Sequence, residues 1–523
     1  MILINPSSKD TLRLFQPFLP RWIPIGIGYL MAFLEREGIT PHYIDEQIED
    51  RILPRIAETI ARLEKPYIFG FSVLTASFKR AIELSKILKT LYPDSIILFG
   101  NIHPTALPEE SLAYDHVDFV LSGESERTLP ELYRCLKNGS PVSHIPNLSR
   151  KQSGKIIHNQ RLFPHDDLSD YPLFPYHLFS PESYDLGFIM SSRGCPFKCI
   201  FCSNRIVTGL KFRFRPAEAV FEELELLGSR YHLRNISFLD DSFLIDRNKV
   251  CALLKGIREK ELHKKMRFDC QARADNIDAA LLQELRVSGF DTISFGLEAA
   301  TDDVLKTIKK GETSAQMADA VRQAKQAGFK IRATFIFGLP GDSRENRMAS
   351  VRMDQKLKLD VVRYNNATPF PGTELYEIAK KQNRLNVKGL WENFNSVSLL
   401  IENPFKPTPF SYVPPGSTEA EIRRDLLYAY FASYARFRRI WDNLSVLDFR
   451  PGKFRKTESL LKRLGKFSGY CVLAVSLFVK LVQFFYYSVI KRETAVSFRF
   501  FLSAFSGLTE FKDRPNPPGQ ASD

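Results

Sequence analysis

The segment Ser192-Arg193-Gly194-Cys195-Pro196-Phe197-Lys198-Cys199-Ile200-Phe201-Cys202-Ser203-Asn204 decides how the chain is read. Its spacing is Cys-x3-Cys-x2-Cys. Three thiolates on one short loop can ligate three irons of a cubane cluster, leaving the fourth iron open to a substrate. An open coordination position separates catalytic metals from structural ones. Structural zinc asks for a full set of protein ligands, usually in two Cys-x2-Cys pairs. No second pair occurs, and the nearest downstream histidine, His232, is poorly placed.

Outward from this loop the chain alternates between extended and helical signals. Candidate strands are Gly187–Ser191, Asn235–Asp240, Arg267–Arg273, Thr292–Glu298, Lys330–Gly338 and Val361–Thr368. Helical stretches such as Ala217–Leu227, Arg247–Lys260, Ala279–Ser288, Ser314–Ala327 and Arg344–Lys356 separate them. Six such units over residues 186–400 fit a partial (β/α)6 barrel of the TIM type. A polar or charged group closes almost every strand: the cysteine loop, Asp240-Asp241, Arg273, Glu298 and the Gly338–Asp342 turn. Barrel chemistry lives at C-terminal strand ends, so this repeated placement supports the barrel more than any single strand does.

Residues 1–150 alternate in a different layout. Short apolar runs at Met1–Asn5, Tyr43–Asp45, Tyr67–Ser72, Ser95–Gly100 and Phe119–Ser122 are separated by helical patterns such as Ile25–Glu37 and Phe78–Leu91. This predicts a doubly wound, Rossmann-like α/β domain with a parallel sheet. Ligands of such sheets lie beyond the carboxyl ends of the strands. Those ends carry Ser72 with Thr75, the Gly100–Thr105 stretch containing His103, and Gly123-Glu124-Ser125-Glu126. Residues 151–185, rich in Pro, Asp, His and Tyr, read as a linker between domains. Residues 401–523 read as a helical, basic and aromatic-rich C-terminal extension.

The cysteine triad, with the aromatic Phe201 before its last cysteine, resembles the signature of the radical S-adenosylmethionine superfamily. The resemblance implies that Cys195, Cys199 and Cys202 hold a [4Fe–4S] cluster. It further implies that the open iron binds S-adenosylmethionine, which is cleaved reductively to a 5′-deoxyadenosyl radical. It assigns S-adenosylmethionine contacts to Asp240 and Asp241, to Arg273 as carboxylate partner, to Ser294 and Glu298 beside the ribose, and to Gly338 under the adenine. The acidic pair Asp240-Asp241 departs from the Gly-Gly-Glu often found in the family.

The strings Pro24–Leu30, His103–Glu110 and Gly123–Thr128 resemble the cobalamin-dependent subgroup, and the likeness covers roughly residues 1–400. It implies cobalamin contacts at Ser72, Thr75, His103, Thr105, Gly123 and Glu124. The Asp-x-His-x-x-Gly motif that supplies an axial histidine in other cobalamin proteins is absent. Methylthiotransferases also carry an N-terminal α/β domain, but hold a second cluster on N-terminal cysteines. Here the first cysteine is Cys135.

Composition limits the remaining choices. A chain of 523 residues is expected to form two or three domains, and 44% hydrophobic content excludes wholesale disorder. Seven cysteines, three of them clustered, do not form a disulfide framework and suit a reducing cytoplasm. The N-terminus shows no secretory signal pattern. The net charge of +13 suits an anionic partner without choosing one. Basic residues are interleaved with acidic ones, and no nucleic-acid-binding motif stands out, so nucleic acid is not expected. The apolar stretch Phe467–Ile490 is flanked by basic residues and followed by the aromatic stretch Phe498–Phe511. Helices lying on the inner face of the cell membrane and a buried helix pair both fit it, and Lys480 and Gln483 count against a full span.

Three functions compete. The first is methylation of an unactivated carbon of a hydrophobic small molecule or lipid, with a flavodoxin- or ferredoxin-type electron donor. The second is cyclisation or oxidation by the same radical without methyl transfer. The third is a non-catalytic binding module.

Overall fold

The apolar runs of the N-terminal region become strands buried on both faces, as parallel strands covered by helices on both sides must be. The computed structural model describes residues 1–7, 21–49, 51–162, 167–395 and 407–434, with Phe478, Val479 and Val482. Strands β1 (Ile2–Asn5), β2 (His42–Asp45), β3 (Ile68–Ser72), β4 (Ile96–Gly100) and β5 (Phe119–Leu121) pair in parallel in the order β2-β1-β3-β4-β5. This is the doubly wound sheet expected from the sequence.

The sheet continues antiparallel through β6 (Leu148–Gln152) and β7 (Lys155–His158). The 150/151 boundary drawn from sequence therefore falls inside a hairpin. These two strands are short, charged and half exposed, so they carry none of the continuous apolar signal that marks β1, β3 and β4.

The second half begins with β8 (Phe188–Ile189). Strands β9 (Ser192–Arg193) and β10 (Arg213–Phe214) form a small antiparallel ribbon around the cysteine loop. Strands β11 (Asn235–Phe238), β12 (Arg267–Ala272), β13 (Phe290–Glu298), β14 (Lys330–Phe337) and β15 (Val361–Asn366) follow β8 in one all-parallel sheet, in strict chain order. Sequential order with a helix after most strands is the partial barrel predicted above.

A six-stranded partial barrel leaves β15 as an edge with unpaired backbone groups. The Glu419–Tyr434 helix of the C-terminal region covers it. Tyr430 Oη accepts from the Tyr364 N–H at 3.1 Å and donates to the Tyr364 carbonyl at 2.9 Å. Tyr434 Oη does the same at Val362, at 2.9 and 2.7 Å. Two phenols thus stand in for a seventh strand.

One hydrophobic core runs without a break from the inner face of the N-terminal sheet into the barrel. Aromatic residues of the 167–185 segment join the halves: Tyr171, Phe174, Tyr176 and Phe179 are all buried. Tyr171 meets Tyr29 and Phe33 edge-on, at 5.5 and 5.0 Å between ring centroids. The linker is thus a packed wedge, and it fixes how the two sets of strand ends face each other. Among the described residues no helix is long and apolar enough to cross a membrane. The Phe467–Ile490 and Phe498–Phe511 stretches lie outside the described residues apart from Phe478, Val479 and Val482.

Candidate active site

The cysteine loop is held at both ends and in the middle. Gly194 takes φ +82°, and a Cβ there would meet the Lys211 carbonyl oxygen at 2.2 Å, so only glycine fits. Ile200 is fully buried; its N–H donates to the Ile308 carbonyl at 3.1 Å and its carbonyl accepts from Leu375 N–H at 2.9 Å. Phe197 carries the Arg273 guanidinium on its face.

Cys195, Cys199 and Cys202 are free and half buried. Burial pushes all three thiols up, Cys202 to about 11, while Lys310 and Arg273 pull Cys199 back down. A soft thiolate set on a rigid loop suits an iron–sulfur cluster, whose assembly would displace these protons. Among the described residues no three His, Cys, Asp or Glu side chains converge tightly enough for a single metal ion. A cubane spreads its thiolates over separate irons, and three cysteines on one short loop are a donor set of that kind.

The other strand ends surround this loop, with distinct roles for residues that looked alike in sequence. Asp240 turns inward. Its Oδ1 accepts from Ser191 N–H (3.1 Å) and Ser191 Oγ (2.9 Å), and also from Ser192 Oγ. Burial lifts it to about 6, opposed by these hydrogen bonds. Asp241 instead faces the space beside the cysteines, accepting from Asn204 Nδ2 at 2.7 Å and Thr208 Oγ1 at 3.3 Å.

Arg273 directly follows β12 and chelates Asp275 at 3.0 and 2.6 Å. Its Nη2 lies 3.5 Å from Glu312 Oε2, and Lys310 Nζ approaches the same oxygen at 3.2 Å. Glu298 adopts φ +62° at the end of β13, where the pairing with β14 shifts register. Its Oε1 lies 3.8 Å from Lys310 Nζ, and burial raises its carboxyl above the ordinary range. A Cβ at Gly296 would meet that Oε1 at 2.4 Å, so the glycine makes room for the carboxylate. Ser294 is half buried mid-strand on β13, and the Gly338 N–H donates to Asp342 Oδ2 at 2.7 Å.

Between the two halves lies an open cleft. Its N-terminal wall is made by the carboxyl ends of β3, β4 and β5, including Ser72, Gly100, Asn101, Gly123 and Glu124. Its opposite wall includes Met190, Ser192, Val207, Thr208, Leu239 and Asp241. Apolar side chains such as Leu3, Ile27 and Leu98, close-lying backbone and few charges suit a large flat ring with polar edges.

Of the six residues singled out for this cleft, Ser72, Gly123 and Glu124 line it. Thr105 stands behind, its Oγ1 accepting from Gly123 N–H at 3.0 Å. Thr75 is buried away from it. His103 is fully buried, 4.1 Å from the Phe78 ring and 5.3 Å from Trp391 between centroids. Burial lowers its pKa, and no histidine is among the residues lining the cleft.

Residues 189–353 match the Radical SAM superfamily model, and residues 16–133 match the B12 binding domain. An uncharacterized methyltransferase of Pyrococcus horikoshii is 31% identical over 411 residues, covering 77% of this chain and 87% of that protein. The chain belongs to the radical S-adenosylmethionine superfamily, in the branch that carries a B12 binding domain. The anaerobic magnesium-protoporphyrin IX monomethyl ester cyclase of Cereibacter sphaeroides is 25% identical over 374 residues, and the alignment spans 69% of this chain but only 61% of the cyclase. Among solved structures, the radical S-adenosylmethionine methyltransferase TsrM of Kitasatospora setae superposes with a TM-score of 0.66 at 19% identity, covering 82% of this chain and 90% of TsrM. The cobalamin-dependent radical enzyme OxsB gives 0.64 at 18% identity, covering 91% and 71%. The two-domain fold of this radical SAM protein is therefore shared with both.

Sequence reasoning missed Lys310 and Glu312. They sit in the turn Lys309-Lys310-Gly311-Glu312, which reads as an ordinary charged loop. It also missed Arg193 and Arg213, whose only signal was a buried-strand position next to the cysteines.

Proposed function

We propose that this protein is a cobalamin-dependent radical enzyme that methylates an unactivated carbon of a hydrophobic small molecule or lipid. The observation that carries the reading is the mainly apolar cleft, walled on one side by the B12-type strand ends and on the other by Asp241 and Thr208 beside the cysteine loop. When bound there, a [4Fe–4S] cluster with S-adenosylmethionine supplies a carbon-centred radical, and cobalamin supplies a transferable methyl group.

The chain's own groups then have distinct tasks. Cys195, Cys199 and Cys202 hold the cluster. Arg273 and Lys310 offer buried positive charge for the carboxylate of S-adenosylmethionine, and Asp241 and Glu298 offer acceptors for its amino and ribose groups. Ser294 and Gly338 flank the ribose and adenine. Ser72, Gly123 and Glu124 contact the corrin, with Thr105 holding the Gly123 loop. Apolar walls exclude water from a radical. A flavodoxin- or ferredoxin-type protein supplies the electron. The basic, apolar segment after residue 452 brings the enzyme to the inner surface of the cell membrane, where an apolar substrate would be concentrated.

A second reading, cyclisation or oxidation without methyl transfer, is favoured by the similarity to the protoporphyrin cyclase. Mass spectrometry of products from membrane-lipid extracts separates the two. A product heavier by one CH2 supports methyl transfer. One lighter by two hydrogens replaces it with the second reading.

A further inference from the structure

We infer that Glu124 couples the corrin cleft to the cluster loop, so that filling either site tightens the other. This rests on the reading of the cleft as the cobalamin site. Glu124 lies on the loop after β5 and lines the cleft. It also reaches across to the barrel half, where Arg213 grips it through two bonds, Nη1 to Oε2 at 2.7 Å and Nη2 to Oε1 at 2.8 Å. Both side chains are almost fully enclosed, at 1% and 7% exposure.

Arg213 opens β10, and among the described residues β10 pairs with β9 alone, in the register Arg213↔Arg193 and Phe214↔Ser192. Arg193 itself pairs with Glu126 at 2.5 Å and lies 3.5 Å from Glu124. One residue beyond Arg193 is Gly194, and the next is Cys195. Arg213 Nη2 also donates to the Thr208 carbonyl at 2.8 Å, at the end of the helix that follows Cys202. Both ends of the cysteine loop are thus tied to a loop that forms the corrin wall.

A buried ion pair with one partner displaced leaves an uncompensated charge, so these groups move together or not at all. A ligand that fixes the Gly123–Glu126 loop fixes Arg213 and Arg193 as well. The ordering is then already complete when the cluster assembles, which is positive coupling between two sites, and it must be reciprocal.

The test measures cob(III)alamin affinity anaerobically for cluster-loaded protein and for the cluster-free Cys195→Ala/Cys199→Ala/Cys202→Ala variant. It also measures iron retained against a chelator with and without cobalamin. In the native background the cluster should tighten cobalamin binding by about 5-fold or more, and cobalamin should slow iron loss. In a Glu124→Gln background both effects should collapse to within about 2-fold. Because Glu124→Gln removes the carboxylate charge that faces Arg213, the Glu124→Met/Arg213→Met pair is measured alongside, since apolar replacement of both partners preserves packing. It too should lose the coupling. Equal cobalamin affinity with and without the cluster in the native background overturns the inference. So does coupling that survives in both variants. Native protein that loads a cluster but binds no cobalamin overturns the reading of the cleft itself.

Discussion

The guanidinium carbon of Arg273 sits 3.5 Å from the ring centroid of Phe197, so the end of β12 is stacked on the middle of the cysteine loop. The same guanidinium is chelated by Asp275 and lies beside the buried Glu312 carboxylate. A planar, permanently charged group is the only side chain that can do all three. Arg273→Lys keeps the charge but loses the stack and the fork. Both Arg273→Lys and Arg273→Ala should weaken S-adenosylmethionine binding to the reconstituted protein by about 10-fold or more. Equilibrium binding checks this, with iron content measured on the same samples. Unchanged affinity in the alanine variant would remove Arg273 from the site.

Tyr430 donates to and accepts from one residue of the barrel's open edge. Tyr430→Phe removes both hydrogen bonds and leaves Tyr364 N–H and C=O, both enclosed, without them. The expected cost is about 1–3 kcal/mol, seen as a lower unfolding midpoint of the barrel. A midpoint identical to the native protein's would mean that the Glu419–Tyr434 helix does not seal the edge.

Asp240 makes a pH prediction with a definite sign. Its folded-state value of about 6 lies above the ordinary 3.8, because burial disfavours the charged form. The folded chain therefore holds a proton more tightly than the unfolded chain. That stability is fully present below the unfolded value and is lost as pH rises through about 6. Asparagine does not titrate. Native protein should gain stability relative to Asp240→Asn as pH falls from 7 toward 4, by up to about 3 kcal/mol. Thermal midpoints of the two proteins across that range test it, and parallel curves would contradict it.

Much of this was legible because buried parallel strands announce themselves as unbroken apolar runs. All six barrel strands and five N-terminal strands lie where Phe188, Ile236, Phe268, Ile293, Ile331 and their counterparts predict. The hairpin β6–β7 was not legible, since Arg150, Lys151 and Lys155 pair by backbone and stay partly exposed. Long-range closures were not legible either. Glu124 and Arg213 are 89 positions apart, and each looks like a surface charge until the fold encloses both. His103 stands in a βα loop where a ligand contact is the natural reading. Instead Trp391, far along the chain, turns back over it and donates to Glu110 Oε1 at 2.8 Å.

The proposed function requires one chain to hold an iron–sulfur cluster and a corrin in facing sites. Anaerobic reconstitution with iron, sulfide and cobalamin, followed by metal and corrin analysis of the same sample, tests it most directly. About four irons and one corrin per chain are expected, with iron lost in a Cys199→Ala control. Native protein with no more iron than that control would contradict it.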